Sequence, residues 1–398
     1  MKRYDLITPE GTRDMLFEEC LSRRAVEQRY AEIFRRMGYS EVLTPGIEFY
    51  DLFSSGTRKF PQESLYKLTD AKGRLLALRP DSTIPIARLV ATRLKNAFFP
   101  LRLYYSQNVY ENNVLLKGRS DETAQAGIEL IGIASLRADY EVMCTAVDVL
   151  TEFQTGEFRL EIGDIGFFRE LAEGLGVDGG AREEIRFLIE TKNYPALNDL
   201  LDGIGENPYT AALKQLPGLF GGEEVFEKAA ALVSGDSMRE ILDRLHEVYN
   251  KLTGLGYGGR ITVDLGIVNR TDYYTGIVFQ GYLSGIGEAV LKGGRYNRLL
   301  GEFGLDVPAT GFAVNVDAVA SLLRRSGEAP KQAKPDCVVF GNAGYVAEAI
   351  AYAQTLVAQG LTVENGMHET LEETVSYARK RGIKKIIIAD TAEEIAVE

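Results

Sequence analysis

At 398 residues, with 45% hydrophobic and 26% charged residues, the chain is too long for one ordinary core and suits two or three globular domains. A formal charge of −12 argues against a broad nucleic-acid surface, because phosphate binding draws on clustered Lys and Arg. Cys20, Cys144 and Cys337 lie far apart without a CxxC pair and read as reduced structural thiols, His246 and His368 have no evident partner, and no run of about 18 apolar residues suggests a membrane span, so a cytoplasmic chain without metal or cofactor is expected.

The opening ITPEGTRDML is a Pro/Gly-containing arm, followed by a helix over about Glu18–Met37 in which Ala25, Tyr30, Ile33 and Phe34 can share one face. Short strands are predicted at Glu41–Leu43, Leu65–Leu68 and Leu75–Arg79, after which Asp81-Ser82-Thr83 caps a helix to about Leu94. Two long strands follow, Leu101–Tyr110 and Ala124–Gly132, then a helix over Leu136–Phe153 and a strand at Phe158–Gly163. Residues of about 167–255 read as an inserted helical subdomain outside the main sheet, broken at GVDGG, GIGENP and PGLFGG. Strands resume at Ile261–Leu265, Gly276–Tyr282 and Glu288–Lys292, with a last pair of elements over Thr310–Leu323. Glycine pairs such as GYGG and LKGG read as turns. The core thus spans 1–325, a Pro/Lys-rich linker 326–336, and a small β-α-β-α-β domain 337–398 with a mostly parallel sheet.

Two ordered sets of segments carry a family resemblance. LRPDST (Leu78–Thr83) precedes LRLYYSQNVYENNVLLKGRSDETAQAGIELIG (Leu101–Gly132); NRTDYYTGIVFQ (Asn269–Gln280) precedes KGGRYNRLLGEFG (Lys292–Gly304) and PATGFAVNVDAV (Pro308–Val319). Together they resemble histidyl-tRNA synthetases. The resemblance implies an α+β fold of the class II aminoacyl-tRNA synthetase type, an antiparallel sheet flanked by helices with the helical insertion in its expected place. The small C-terminal α/β domain resembles a shortened anticodon-binding domain. The family dimerises through its first helix and neighbouring strands, so self-association as a dimer or higher is implied.

Transferred residue by residue, the resemblance separates binding from chemistry. Activating an amino acid with ATP needs positive groups against the α-phosphate, and removing one such donor typically costs about 3–4 kcal/mol. Glu111 stands at the family's motif 2 arginine, Asn269 at the arginine that reaches the histidine carboxylate, and Ala318 at the arginine that clamps the γ-phosphate. Arg270 is adjacent to Asn269, but one step along an extended segment points the other way. The amino-acid pocket is closer to the family pattern. Asp81 sits at the ammonium-binding position, Thr83, Gln125 and Glu129 fall in register with pocket residues, Tyr273 and Tyr274 keep the tyrosine pair, and Arg119 matches a position near the ligand.

A synthetase-like scaffold without adenylation arginines resembles the regulatory subunits of ATP phosphoribosyltransferase, paralogues of histidyl-tRNA synthetase. That resemblance implies a non-catalytic subunit of a hetero-oligomer with the short-form catalytic phosphoribosyltransferase, which condenses ATP with phosphoribosyl pyrophosphate to begin histidine biosynthesis. It implies feedback inhibition by histidine and no tRNA partner, and leaves open whether that histidine sits in this pocket or at the subunit interface. The competing readings are a divergent, active synthetase and a free-standing histidine sensor. Ile386–Glu394 lacks the second acid and Thr-Gly turn of a phosphoribosyl pyrophosphate motif, and the charge run Arg379–Lys385 reads as a solvated helix end.

Overall fold

The computed structural model describes residues 3–58, 60–113, 120–153, 156–232, 235–268 and 273–397. Clustering of contacts divides the chain into Met1–Ala329 and Pro330–Glu398. Among the described residues, no helix is long and apolar enough to cross a membrane, and Cys20, Cys144 and Cys337 are free thiols.

The larger unit opens with α1 (Glu18–Arg36), whose residues at four-residue spacing, Ser22, Val26, Tyr30 and Phe34, turn inward. Ala25 and Ile33, expected on that face, only flank it. Strand β1 (Ser40–Glu41) is followed by a three-stranded sheet of β2 (Ile47–Phe49), β3 (Lys67–Thr69) and β4 (Leu75–Leu78), in the order β2-β4-β3. Helix α2 (Thr83–Arg93) comes next. The ten residues of β5 (Leu101–Tyr110) pair one for one with β6 (Glu122–Ile131). Helix α3 (Leu136–Thr151) and β7 (Phe158–Asp164) lead into the insertion.

The insertion comprises α4 (Ile165–Gly174), α5 (Gly179–Glu190), α6 (Tyr194–Ile204), α7 (Pro208–Gln215), strand β8 (Phe220–Gly221), α8 (Glu224–Leu232) and α9 (Asp236–Leu252). Its breaks are capped: Asp178 accepts from Ala181 N–H to start α5, and Asn207 forms a capping box with Thr210 to start α7. It is not wholly outside the main sheet, because Phe220 and Gly221 of β8 pair with Asp264 and Val263. His246, without an evident partner in sequence, stacks on Phe226 at 4.3 Å between ring centroids and has Nε2 3.5 Å from Glu223.

Strands β9 (Ile261–Asp264), β10 (Ile277–Leu283), β11 (Leu291–Arg295) and β12 (Ala309–Asn315), then α10 (Val316–Ser326), complete the unit. The main sheet runs β1-β5-β6-β12-β11-β10-β7-β9-β8; from β5 to β7 every neighbouring pair is antiparallel. The strand expected at Glu288–Lys292 lies three residues later, and LKGG is strand rather than turn. Close packing explains those glycines: a Cβ on Gly293 would sit 2.3 Å from the Phe279 ring, and one on Gly294 would sit 2.8 Å from Tyr274. One core cluster joins α1, α3 and the insertion to the sheet, and a second unites α2 with Tyr105, Tyr273, Tyr274 and Tyr296.

In the smaller unit, β13 (Cys337–Phe340), α11 (Val346–Ala358), β14 (Val363–Asn365), α12 (Leu371–Arg381), β15 (Lys385–Ile388) and β16 (Glu393–Ala396) form a sheet ordered β14-β13-β15-β16. Alternation in β13 sends Cys337 and Val339 to the α11 side and Val338 and Phe340 into a second cluster with Ala378 of α12. The antiparallel edge strand β16 is additional to the expected pattern. Its mostly exposed EEIA sequence carries little strand signal.

Candidate functional site

The site forms where the N-terminus of α2 meets the open face of β6, β12 and β11. Asp81 precedes α2, and its Oδ1 accepts from Ile84 N–H at 2.8 Å, fixing both the helix start and the carboxylate. Its Oδ2 accepts from the Tyr273 hydroxyl at 3.2 Å. On β6, Gln125 and Glu129 lie four residues apart on one face. The Glu129 side chain is almost wholly buried, with Oε1 accepting from Thr83 Oγ1 at 2.7 Å and Oε2 from the Tyr296 hydroxyl. Room for that carboxylate comes from Gly311 opposite it on β12, where a Cβ would stand 2.0 Å from Glu129 Oε2.

Asp81, Thr83, Gln125, Glu129, Tyr273 and Tyr274 all line one cavity of about 310 Å³. The two tyrosine rings pack at 4.7 Å between centroids, and Tyr273 meets Tyr296 edge-on at 5.8 Å. Both rings also belong to the apolar cluster beneath, so core packing and cavity lining are one role for them. Burial pushes the Glu129 carboxyl up to about 8, against the lowering effect of its two hydroxyl donors, and pushes Asp81 up to about 6. A buried and a half-buried carboxyl, both with neutral hydroxyl donors, suit a ligand ammonium, which supplies the positive charge that those hydroxyls do not.

Sequence reasoning did not single out Tyr296, Lys292 or Glu190, all of which line this cavity. Tyr296 and Lys292 lie in KGGRY, a segment read for its glycines; only the strand register shows that both side chains reach the cavity. Glu190 comes from the end of α5 in the insertion, held by Arg186 at 2.7 Å. Nothing local in the sequence brings it here.

A second cavity of about 540 Å³ adjoins the first, sharing Pro80, Glu111, Asn113, Gln125, Lys292 and Ala313. Its acids are Glu111, Asp121, Glu288 and Asp317, and Lys292 is the one cation lining it among the described residues. Asp317 Oδ2 accepts from Ala124 N–H at 2.7 Å, and Asp121 Oδ1 from Asn113 N–H at 3.0 Å. Ala318 also lines it, in the first turn of α10, and its N–H donates to Asn315 Oδ1 at 2.9 Å. Arg119, Asn269 and Arg270 lie outside the described residues.

The two arginines of the LRPDST and GGRY segments line neither cavity. Arg79 donates to the carbonyls of Thr44 and Asn108 at 2.6 and 2.7 Å and to Gln107 Oε1 at 2.9 Å. Arg295 is buried against Asp139 at 2.7 Å and donates to the carbonyls of Ile133 and Ser135. Both bind the frame together.

Comparison with known proteins agrees with this architecture. A family model described as histidyl-tRNA synthetase matches residues 11–319. A protein of Clostridium acetobutylicum named ATP phosphoribosyltransferase regulatory subunit is 39% identical, the match covering 100% of this chain and 98% of its own. One of the same name from Clostridium kluyveri is 40% identical over 96% of this chain and 99% of its own. A crystal structure described as an ATP phosphoribosyltransferase regulatory subunit/histidyl-tRNA synthetase from Bacillus halodurans superposes with a TM-score of 0.83 at 29% identity, covering 98% of this chain and 99% of that one.

Proposed function

Because the chain belongs to the histidyl-tRNA synthetase family and, within it, to the ATP phosphoribosyltransferase regulatory subunits, we propose that it is the non-catalytic subunit of that enzyme, a cytoplasmic partner of the short-form catalytic chain. In this reading it is required for the first step of histidine biosynthesis and carries the histidine that inhibits that step in the cavity of Asp81 and Glu129.

The observation that supports this is how the acids of the smaller cavity are held, since each cavity is lined by four acids and the shared Lys292 among the described residues. The smaller one offers an ammonium two hydroxyl-braced carboxylates and offers an imidazole the hydroxyls and faces of three tyrosines. The larger one, where adenylation would need cations, presents four carboxylates and one lysine among the described residues. Phosphates held there would meet repulsion at the point where a transition state needs positive charge. Binding and chemistry are thereby separated. The acidic balance of the chain supports the absence of a tRNA partner. Exposed Ile47 and Phe49 on β2 and Leu75 on β4 support self-association, which light scattering of the purified chain measures.

The test is to mix the purified chain with the short-form catalytic subunit and follow phosphoribosyl-ATP formation with and without histidine. The rate rises on adding the chain and falls with histidine. A chain that changes neither ends the reading, and histidine-dependent ATP–pyrophosphate exchange by the chain alone would replace it with an active synthetase.

A further inference from the structure

An amino acid brings a carboxylate as well as an ammonium, and the small cavity is otherwise lined with acids. Asp81, Glu111, Glu129 and Glu190 line it; Lys292 is the one cation among the described residues that does. Lys292 also lines the larger cavity, so it stands at the opening the two share. Its side chain is exposed, and no hydrogen bond or ion pair engages it among the described residues.

The sheet register places this lysine opposite the acids. Lys292 pairs with Ala313, which pairs with Gly127; Gly294 pairs with Gly311, which pairs with Glu129. Cross-strand partners face the same side, as do residues two apart, so Glu129 and Lys292 rise from one face of the sheet. They are two strands and two residues apart, roughly 12 Å between Cα atoms. On the stretch that separates them, the intervening strand presents Gly311 and Ala313 to that face, both of which line the cavity. The floor between acid and lysine is therefore clear of any side chain longer than a methyl group. With an ammonium–carboxylate group lying across that floor, its positive end meets Glu129 and Asp81 and its negative end points to Lys292.

We propose that Lys292 takes the carboxylate of the amino acid held in this cavity, supplying from β11 a charge that the family supplies by an arginine at position 269, and so decides that the cavity accepts amino acids over amines. The proposal rests on the reading of this cavity as a histidine site. Without the lysine, the ligand carboxylate would approach the acids of the lining with no cation to offset them.

The experiment is calorimetric titration of the full-length chain with L-histidine and with L-histidinol, in which CH2OH replaces the carboxylate, using wild type, Lys292→Met and Lys292→Arg. One charge-assisted contact is worth about ten- to a hundredfold in affinity. Lys292→Met is expected to weaken histidine by that factor while leaving histidinol nearly unchanged, and Lys292→Arg to keep most of the histidine affinity. Thermal melts that coincide with wild type show that the exposed substitution leaves the fold intact. If Lys292→Met weakens both ligands equally, or neither, the lysine does not read the carboxylate. A histidine preference that survives it moves that role to Arg119 or Arg270. A wild-type chain that binds neither ligand removes the histidine site itself, a failure distinct from the loss of the lysine's role.

Discussion

The two cavities share a wall and Lys292, and each is lined by four acids among the described residues, yet those acids are committed differently. In the smaller one two of the four acids are braced by hydroxyls, Glu129 by Thr83 and Tyr296 and Asp81 by Tyr273, so a cationic group would find preorganised acceptors. In the larger one acids are spent on the fold itself, Asp317 on the Ala124 N–H and Asp121 on the Asn113 N–H. The arginines follow the same division: Arg79 and Arg295 remain where they hold carbonyls and Asp139, while neither cavity is lined by an arginine among the described residues. On the function proposed above, a scaffold of this family keeps its frame and its ligand pocket without the reaction chemistry, because the arginines that hold the frame are not those that the chemistry needs.

The largest effect expected from this division lies in the frame. Arg295→Met removes one partner of a buried ion pair and leaves Asp139 with an uncompensated charge and two carbonyls short of donors. Breaking such a pair costs about 3–5 kcal/mol. Urea denaturation of the variant should show that loss with an unchanged m-value. A loss under about 1 kcal/mol, within the range of ordinary surface substitutions and small core changes, would mean that Arg295 is not a structural residue.

A smaller, pH-dependent effect tests the ligand cavity. The Glu129 carboxyl is raised to about 8 in the folded chain, whereas an unfolded Glu titrates near its ordinary value of about 4.3. Between those values the native state binds more protons than the unfolded one, so stability falls as pH rises through that window and levels off above about 8. Asp81, raised to about 6, adds a slope of the same sign in the lower part of the window. Glu129→Gln removes the first contribution, so its stability relative to wild type should climb by on the order of a few kcal/mol from pH 5 to pH 9. Denaturation curves at those two pH values give the comparison, and parallel wild-type and variant profiles would show that Glu129 is not held protonated. The same buried acid predicts proton release when a ligand ammonium binds, visible as a buffer-dependent calorimetric enthalpy.

Six of the seven expected pocket residues line one cavity, and it is the family resemblance that points to them. Local sequence accounts only for the elements that carry four of them, since β6 announces itself by length and composition and Asp81 and Thr83 sit at a helix start that the sequence marks. The seventh, Arg119, lies outside the described residues. What sequence did not convey is tertiary. LKGG reads as a turn until Phe279 and Tyr274 are seen to occupy the space a side chain would need. Glu190 reaches the cavity only through the packing of the insertion, and Tyr296 through the register that sets β11 and the residue after it against Glu129. The β16 edge was missed for a different reason, since mostly exposed acidic residues pair through backbone alone and leave no hydrophobic pattern to read.

The smallest effect expected comes from restoring one arginine to the larger cavity. Ala318 is the third residue of α10, half-buried where it lines this cavity, and Arg has nearly the helix propensity of Ala. A cation in the first turn opposes the helix dipole by about 0.3–1 kcal/mol, and the neighbouring Asp317 offsets part of that. Ala318→Arg should therefore move stability by less than about 1 kcal/mol and leave histidine affinity unchanged, both measurable on the purified chain. Histidine-dependent ATP–pyrophosphate exchange should stay at background. One donor supplies about 3–4 kcal/mol of transition-state stabilisation, while Glu111 still lines the cavity and, by the family resemblance, Asn269 stands in place of a third arginine. Exchange above background in this variant would mean that the larger cavity is one residue from catalysis, and the contrast between a binding cavity and an inert one would then be a matter of degree. Silence there, beside intact histidine binding, means that the barrier is the summed charge of the wall.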